Sequence, residues 1–161
     1  MKKTAILITA LISAVPILAA PPQGVATEAT KAANAEVAAE LPIADQSDFE
    51  NANRGLLAKI PGDKILNEDG WDSHQFDFIT GAAPDTVNPS LWRQAKLNSV
   101  HGLFEVVPGI YQIRGYDLAQ MTLIAGKTGW IVVDPLTTPA PSKAGLALAN
   151  KTLGDRPVVA V

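Results

Sequence analysis

Residues 101–135 read HGLFEVVPGIYQIRGYDLAQMTLIAGKTGWIVVDP. Four short runs in this stretch are rich in β-branched and aromatic residues, and they predict strands at 103–107, 110–114, 121–125 and 130–133. The residues between neighbouring runs, such as Pro108-Gly109 and the glycine-flanked tetrapeptide 126–129, are turn formers. The stretch therefore predicts an antiparallel meander.

The hydrophobic pattern changes period after Asp134-Pro135. A helix is predicted next, because a capping threonine and a proline precede apolar residues at three- and four-residue spacing and a glycine follows them. These residues are Thr138, Pro139, Leu146, Ala149, Leu153 and Gly154. Residues 158–161 form a continuous apolar run, which is typical of a strand buried on both faces in a parallel pairing. Strand, helix and strand predict a βαβ crossover, and the chain is assigned to the α/β class.

The amino terminus has the pattern of a secretory signal. Met1-Lys2-Lys3 precedes an uncharged, mostly apolar run from residue 4 to residue 20. This run is shorter than the about 20 residues that a membrane-spanning helix needs, and Pro16 interrupts it. We therefore expect export and cleavage before Thr27, with no stable membrane insertion afterwards. The protein is predicted to be bacterial and periplasmic or secreted.

Composition excludes several classes of protein. The sequence has no cysteine, so disulfides and thiolate metal ligands are excluded. A net charge of −3 without a cluster of Lys and Arg argues against a nucleic-acid surface. Removing a signal of 26 residues from 161 leaves 135, which is enough for one small domain.

The sequence upstream of the meander is less regular. Residues 27–47 are Ala-rich and predict a mobile leader that can form a helix but can bury little. Asp48 is predicted to cap an amphipathic helix that contains Leu56 and Ile60 and ends at Pro61-Gly62. The following segment is rich in Gly, Pro, Asp and Asn, which predicts an irregular arm. The predicted segments are a signal peptide (1–26), a leader (27–47), an irregular amino-terminal arm (48–100) and the first part of the main domain (101–161).

Candidate catalytic residues are sparse. The two histidines, His74 and His101, are 27 positions apart, and neither has a second imidazole at helix or strand spacing, so neither predicts a metal site. His74 is predicted to be an exposed loop residue and His101 a locally hydrogen-bonded structural one. The sequence contains neither a Gly-x-Ser-x-Gly nucleophile elbow nor a phosphate-binding glycine loop.

Asp134 is the one candidate site residue. It follows an apolar run at the carboxyl end of a predicted strand, where ligands of α/β sheets tend to bind. The local alternative is an aspartate that caps the turn before Pro135 by accepting hydrogen bonds from nearby amides. Both interpretations stay open on the residues alone.

Several stretches resemble alkyl and aryl sulfatases of the metallo-β-lactamase superfamily, in family order. They are APDTVNPSLWRQAKLN (83–98), HGLFE (101–105), GIYQIRGYDL (109–118), MT (121–122), DPL (134–136) and GDRPVV (154–159). The resemblance extends from about Asp48 to the last residue. Gln120 departs from it, since the family favours asparagine there.

The resemblance implies the amino-terminal part of a metallo-β-lactamase αββα sandwich, truncated after the meander and the βαβ crossover. In the family, the strand equivalent to 157–161 leads into a His-x-His-x-Asp-His motif that supplies most ligands of two zinc ions. This sequence stops short of that motif, so the resemblance implies no catalytic residue and no metal ligand in this fragment. Asp134 matches an aspartate that orients the metal-binding loop by hydrogen bonds.

The function implied for the complete parent is zinc-dependent hydrolysis of alkyl, and potentially aryl, sulfate esters by a homodimer. The fragment itself is expected to be inactive and to bind no zinc tightly. Two alternatives stay open: another hydrolase of the metallo-β-lactamase fold, such as a lactonase or thioesterase, and a small exported binding or interaction module that is complete as written.

Overall fold

The computed structural model describes residues 24–63 and 76–161. Its centre is a mixed, six-stranded sheet in which the strands lie in chain order. They are β1 Leu56–Ala58, β2 Gly102–Val107, β3 Ile110–Arg114, β4 Met121–Ala125, β5 Trp130–Val133 and β6 Val158–Ala160. Strands β2 to β5 coincide with the four predicted runs and pair antiparallel. The predicted meander is confirmed.

Helices accompany the sheet within the described ranges. They are α1 Glu28–Glu40, α2 Ser47–Asn53, α3 Pro89–Asn98 and α4 Pro139–Leu153. Within those ranges, none of them combines the length and apolar character that a membrane-crossing helix requires. Helix α4 is the predicted one: Thr138 occupies the N-cap, Pro139 begins the first turn, and Gly154, with φ 98°, follows the last.

Helix α4 connects β5 to β6, and these two strands pair in parallel. Trp130 lies opposite Val158 in this pairing, and its amide donates to the carbonyl of Pro157 at 2.7 Å. The predicted strand–helix–strand crossover is confirmed. The assignment of the chain to the α/β class is confirmed as well.

The prediction that the last strand is buried on both faces is wrong for this structure. Val158 is 39% exposed and Val159 is 50% exposed, and all three residues of β6 are accessible. Their apolar sequence is that of an interior strand, but among the described strands β6 lies at the edge of the sheet and pairs with β5 alone. Burial of such a strand needs partners on both sides and cover on both faces, and sequence alone does not place them.

One face of the sheet packs against α4 and forms the hydrophobic core. Its members include Leu103, Ile113, Met121, Leu123, Trp130, Val132, Leu148 and Ala149. Gly145 lets the helix approach the sheet closely, since a Cβ at that position would lie 3.1 Å from the side chain of Ile113. The period-2 pattern of the strands and the period near 3.6 of α4 thus bury their apolar faces against one another.

Trp130 is the largest side chain in this core, and it is fully buried. Its indole Nε1 donates a hydrogen bond to Oδ1 of Asn150 at 2.7 Å. The guanidinium of Arg156 lies 5.1 Å from its ring centroid, and the ring of Tyr111 meets it edge-on at 5.9 Å. The helix, the sheet and the segment before β6 therefore meet at one side chain.

The helix predicted from Asp48 to Ile60 is wrong beyond Asn53. The chain turns at Gly55, whose φ is 77°, and continues as β1, which pairs antiparallel with β2. The carbonyl of Gly55 accepts from the amide of Glu105 at 2.8 Å, and a Cβ on Gly55 would overlap the carbonyl oxygen of Glu105. Backbone pairing with a distant strand overrides the local helical spacing of the apolar residues.

The segment predicted to be an irregular arm contains helix α3, whose N-cap is Asn88. Asn88 Oδ1 accepts from the amide of Ser90 at 2.9 Å, and Pro89 begins the helix. Trp92 is buried on this helix, and its Nε1 donates to the carbonyl of Gly81 at 3.3 Å. The prediction of an irregular arm over 48–100 is therefore wrong at residues 89–98. Asn88 and Pro89 are a local helix-start signal that this prediction did not use.

Helix α2 is attached to α3 through one arginine. Arg93 Nη1 donates to Asp48 at 2.8 Å, Nη2 donates to the carbonyl of Asp45 at 3.0 Å, and the guanidinium lies 5.3 Å from the ring centroid of Phe49. Asp48 was predicted to cap α2, but it lies inside the helix: the N-cap is Gln46, which makes no side-chain capping bond, and Asp45 just before it accepts from the amide of Ser47 at 2.8 Å.

Helix α1 lies within the predicted leader. Thr27 caps it by accepting from the amide of Thr30 at 3.1 Å, and no residue of the helix is buried. Asn34 donates to the carbonyl of Asp85 at 2.8 Å, which connects α1 to the chain before α3. The expectation that this segment can form a helix but buries little agrees with the structure.

Candidate functional site

The loop after β5 holds the candidate residue Asp134 in an unusual backbone conformation. Asp134 has φ 54° and Leu136 has φ 72°, and they are the positive-φ residues other than glycine among the described positions. Asp134 also precedes a proline, a position that ordinarily has φ near −120°. Each such residue costs of the order of 1–3 kcal/mol and persists only where its surroundings impose it. Residues 134–138, which we call the β5 loop, are therefore held by contacts outside the loop.

Asp117, in the turn between β3 and β4, supplies the first of these contacts. Its Oδ2 accepts from the backbone amide of Thr137 at 3.0 Å, and its Oδ1 accepts from the Thr137 hydroxyl at 2.5 Å. Oδ1 also accepts from the amides of Leu118 at 2.6 Å and Ala119 at 3.4 Å. One carboxylate thus closes its own turn and ties it to the β5 loop.

Ser142, in the first turns of α4, supplies the second contact. Its hydroxyl lies in hydrogen-bond contact with the carbonyl of Pro135, and it also lies 2.8 Å from the carbonyl of Thr138. The β5 loop is held by Asp117 from the β3–β4 turn and by Ser142 from the helix.

The carboxylate of Asp134 is exposed and makes no hydrogen bond within the part of the chain that the structure describes. The local alternative for this residue was a turn cap that bonds nearby amides. In the structure, the carboxylate that accepts from an amide of the β5 loop is that of Asp117, which lies in the β3–β4 turn and binds the amide of Thr137. The arrangement therefore leaves Asp134 as an unengaged carboxylate on a constrained loop at the carboxyl end of a strand.

The electrostatics of Asp117 reflect its contacts. Partial burial by itself would raise the pKa of this carboxyl, but the hydrogen bonds from the hydroxyl and amide of Thr137, followed by those from the amides of Ala119 and Leu118, outweigh burial and lower the pKa below its usual value of 3.8. Asp117 is therefore ionised at neutral pH and accepts all four bonds as a carboxylate.

Similarity to known proteins agrees with this architecture. The chain is 48% identical over 141 residues to a linear primary-alkylsulfatase of Pseudomonas sp., and 47% identical over 140 residues to an (R)-specific secondary-alkylsulfatase of Pseudomonas sp.. Each match covers 84% of this chain. The chain is a homologue of alkylsulfatases. An alkyl/aryl-sulfatase of Saccharomyces cerevisiae is 41% identical over 133 residues, which is 80% of this chain.

Solved alkylsulfatase structures share this fold. The stereoselective inverting sec-alkylsulfatase Pisa1 of Pseudomonas sp. superposes with a TM-score of 0.76 at 47% identity and covers 83% of this chain. A double mutant of that enzyme superposes with a TM-score of 0.74. No protein-family model matches the chain. The chain spans 21% of the length of the alkylsulfatase relatives and 22% of the Pisa1 chain.

Histidines do not contribute a metal site to the described part of this alkylsulfatase homologue. His101 Nδ1 lies 2.8 Å from the carbonyl of Ser99, and its Nε2 lies 3.2 Å from Lys59 Nζ. If Nδ1 carries the proton and donates to Ser99, Nε2 is the acceptor for Lys59. The prediction that His101 is locally hydrogen-bonded is confirmed. His74 lies outside the described residues.

The described residues do not fit the zinc centre that the resemblance implies for the complete enzyme. Within 24–63 and 76–161, no three His, Cys, Asp or Glu side chains converge as metal ligands. Asp117 uses both of its carboxylate oxygens on protein donors, and Asp134 alone is one ligand where zinc requires three or four. What these residues can do chemically is fix a loop and present one carboxylate.

Sequence reasoning missed Asp117, although part of its role had a local signal. An aspartate that bonds amides one and two positions later is a common turn former, and Tyr116-Asp117-Leu118-Ala119 permits such a turn. The bonds to Thr137 had no such signal, because 20 residues separate the partners. Only the pairing of β3, β4 and β5 brings the two loops together.

The lowered pKa of Asp117 predicts the acid response of an Asp117→Asn variant. A carboxyl with a lowered folded-state pKa contributes stability above its unfolded pKa and loses that contribution as pH falls through the folded value. The stability advantage of the wild type over Asp117→Asn is therefore expected to be constant at neutral pH and to shrink as pH falls below 3.8. Urea unfolding of both chains between about pH 2.5 and 7 measures it. An advantage that is the same at every pH would contradict the assignment of these bonds to the ionised form.

Proposed function

We propose that the complete protein containing this segment hydrolyses sulfate esters of alkyl alcohols. The observation that carries this proposal is the identity of 41–48% with alkylsulfatases over 80–84% of the chain. The fold shared with Pisa1 over 83% of this chain, at a TM-score of 0.76, supports it. Because the match covers most of this chain, the segment is proposed to have the same task in each of these proteins.

The task proposed for the segment is to build one sheet layer and to hold the β5 loop. The core between the sheet and α4 fixes β5, and Asp117 and Ser142 then fix the loop that follows it. Asp134 is proposed to act from this loop by orienting neighbouring groups through hydrogen bonds.

Further properties of the complete protein are proposals that rest on the family resemblance. They are a metallo-β-lactamase fold, dependence on two zinc ions bound by residues outside this segment, a homodimer, and export to the periplasm or medium after removal of residues 1–26. The segment alone is proposed to be inactive. Its exposed β6 and the exposed Ile131 and Val133 of β5 are the kind of apolar surface that further structure covers, which favours this proposal over a small binding module.

A segment exchange tests the proposed function. The 141 aligned residues of the Pseudomonas linear primary-alkylsulfatase are replaced by the matching residues of this chain, and sulfate release from a linear primary alkyl sulfate is measured. The chimera is expected to release sulfate, because the exchanged segments are 48% identical. The 161-residue chain alone is expected to release none, with or without added zinc.

The matched control is the same chimera with Trp130→Ala, which destroys the core that positions the β5 loop. A wild-type chimera that folds, as judged by one cooperative thermal transition, yet releases no sulfate would count against the proposed function. Sulfate release by the isolated 161-residue chain would show that the proposed division of tasks is wrong.

A further inference from the structure

We propose that Asp117 is the positioning residue of the site: by holding Thr137, it sets the conformation of the β5 loop and with it the placement of Asp134. The inference rests on the proposed function for its catalytic consequence, but its structural part stands on contacts alone. Asp117 itself does not touch a reacting group in this proposal. It acts through the loop.

The support beneath Asp117 is rigid, which a positioning residue requires. The preceding residue, Tyr116, is 2% exposed, and its hydroxyl accepts from the amide of Ile60 at 2.9 Å. The ring of Tyr116 packs 5.3 Å from the ring of His101. The turn that carries Asp117 is therefore anchored to β2 and to the chain after β1.

Gly115 makes this support possible. Its φ is 75°, and a Cβ there would lie 2.5 Å from His101 Cβ and 2.9 Å from His101 Cα. The β3–β4 turn can approach the start of β2 only because the side chain is missing. The β3–β4 turn that carries Asp117 is therefore held in place by contacts that do not involve the β5 loop.

The geometry of the two loops explains why a carboxylate is needed. Asp117 accepts from two donors of one residue, the amide and the hydroxyl of Thr137, while the same side chain accepts from two amides of its own turn. An asparagine has one acceptor oxygen and would direct an N–H group at one of these donors. The donors are uncharged, so the contact depends on hydrogen-bond geometry rather than on a salt bridge.

The consequence for Asp134 follows from its backbone. Asp134 and Leu136, which both have positive φ, lie in the chain between the end of β5 and Thr137, the residue that Asp117 holds. If Thr137 is released, these residues are free to return to the extended conformation that a position before proline prefers. The carboxylate of Asp134 then moves with the backbone, although neither Asp134 nor β5 has been altered.

The experiment has two arms. The first measures hydrogen exchange in the 161-residue chain for wild type and Asp117→Asn, at residues 134–138 and in β3 and β4. We expect exchange at the amide of Thr137 to accelerate about 10- to 100-fold, which corresponds to the loss of a hydrogen bond to a charged group. We expect exchange in β3 and β4 to accelerate less than exchange at Thr137, whereas a purely general loss of stability would accelerate all of these amides alike.

The second arm measures kcat and KM of the segment-exchange chimera with the same substitution. A loss of kcat with little change in KM is expected, in a chimera that still unfolds in one cooperative thermal transition above the assay temperature, because misplacement of a group near the chemistry affects the transition state more than binding. Thr137→Val removes the hydroxyl donor and should give part of this loss, and Thr137→Ser, which keeps both donors, should restore it. Asp155→Asn removes a charge at an exposed position and serves as the control.

Each result decides between specific alternatives. Unchanged exchange at 134–138 in Asp117→Asn would overturn the inference, and so would faster loop exchange with full kcat in an active chimera. An inactive wild-type chimera would instead count against the proposed function, and the exchange measurement would still decide whether Asp117 holds the loop.

Discussion

Replacement of Trp130 by alanine is expected to destabilise the chain by about 3–5 kcal/mol, the range for large aromatic side chains removed from a core. Trp130 is fully buried between the sheet and α4, and its loss also leaves Oδ1 of Asn150 without its donor. Domains of this size are stable by only about 5–15 kcal/mol, so the variant should lose a substantial part of its free energy of unfolding. Urea unfolding followed by far-UV circular dichroism measures the change.

Trp130→Phe separates the two contributions to this effect. Phenylalanine keeps most of the packing but removes the indole N–H, so its cost should be about 1–3 kcal/mol, the penalty of an unsatisfied buried acceptor. Equal costs for the two variants would mean that the hydrogen bond to Asn150, rather than packing, dominates. A negligible cost for Trp130→Ala would show that the core is not organised as the structure has it.

Gly129→Val is expected to separate β6 from the sheet. A Cβ at Gly129 would overlap the carbonyl oxygen of Pro157 and lie 2.7 Å from Cγ1 of Val159. The clash involves backbone, which cannot rotate away, so we expect a cost of at least about 3 kcal/mol, the upper end of overpacking penalties. The hydrogen bond from the amide of Trp130 to Pro157 should be lost, and hydrogen exchange at that amide and across β6 measures its loss.

The control is Gly154→Ala at the end of α4, where an added Cβ meets no atom within 4 Å. Its φ of 98° and ψ of 145° are essentially restricted to glycine, so a cost of about 1–3 kcal/mol is expected without loss of β6 pairing. If Gly129→Val leaves exchange in β6 as slow as in wild type, the close parallel pairing of β5 and β6 is incorrect.

Local sequence was sufficient to predict the elements whose partner in the sheet is also the next element in the chain. Strands β2 to β5 were predicted within one residue of their observed bounds, because short turns leave a meander as the simplest connection. Helix α4 was predicted for a similar reason, since its cap, first-turn proline and terminal glycine are all local signals. Helix α3 carried the same kind of signal in Asn88-Pro89 and could have been predicted.

Local sequence was insufficient where the partner is distant. Leu56 has helical spacing from Phe49 and Ala52, but it is in β1 because β2, more than 40 residues later, offers a strand edge. The exposure of β6 likewise depends on which elements surround it and not on its own apolar residues. In both cases the deciding contacts are contributed by other parts of the chain.

The candidate site shows the same division. Local sequence was enough to predict an aspartate at the end of β5, before a proline, in a neighbourhood that resembles the alkylsulfatases. The contacts between loops were needed to establish that Asp117 holds the β5 loop and that Asp134 is exposed with a positive φ. The physical reason is that hydrogen bonds between two loops depend on the strand register that brings them together, and a pattern along the chain does not contain that distance.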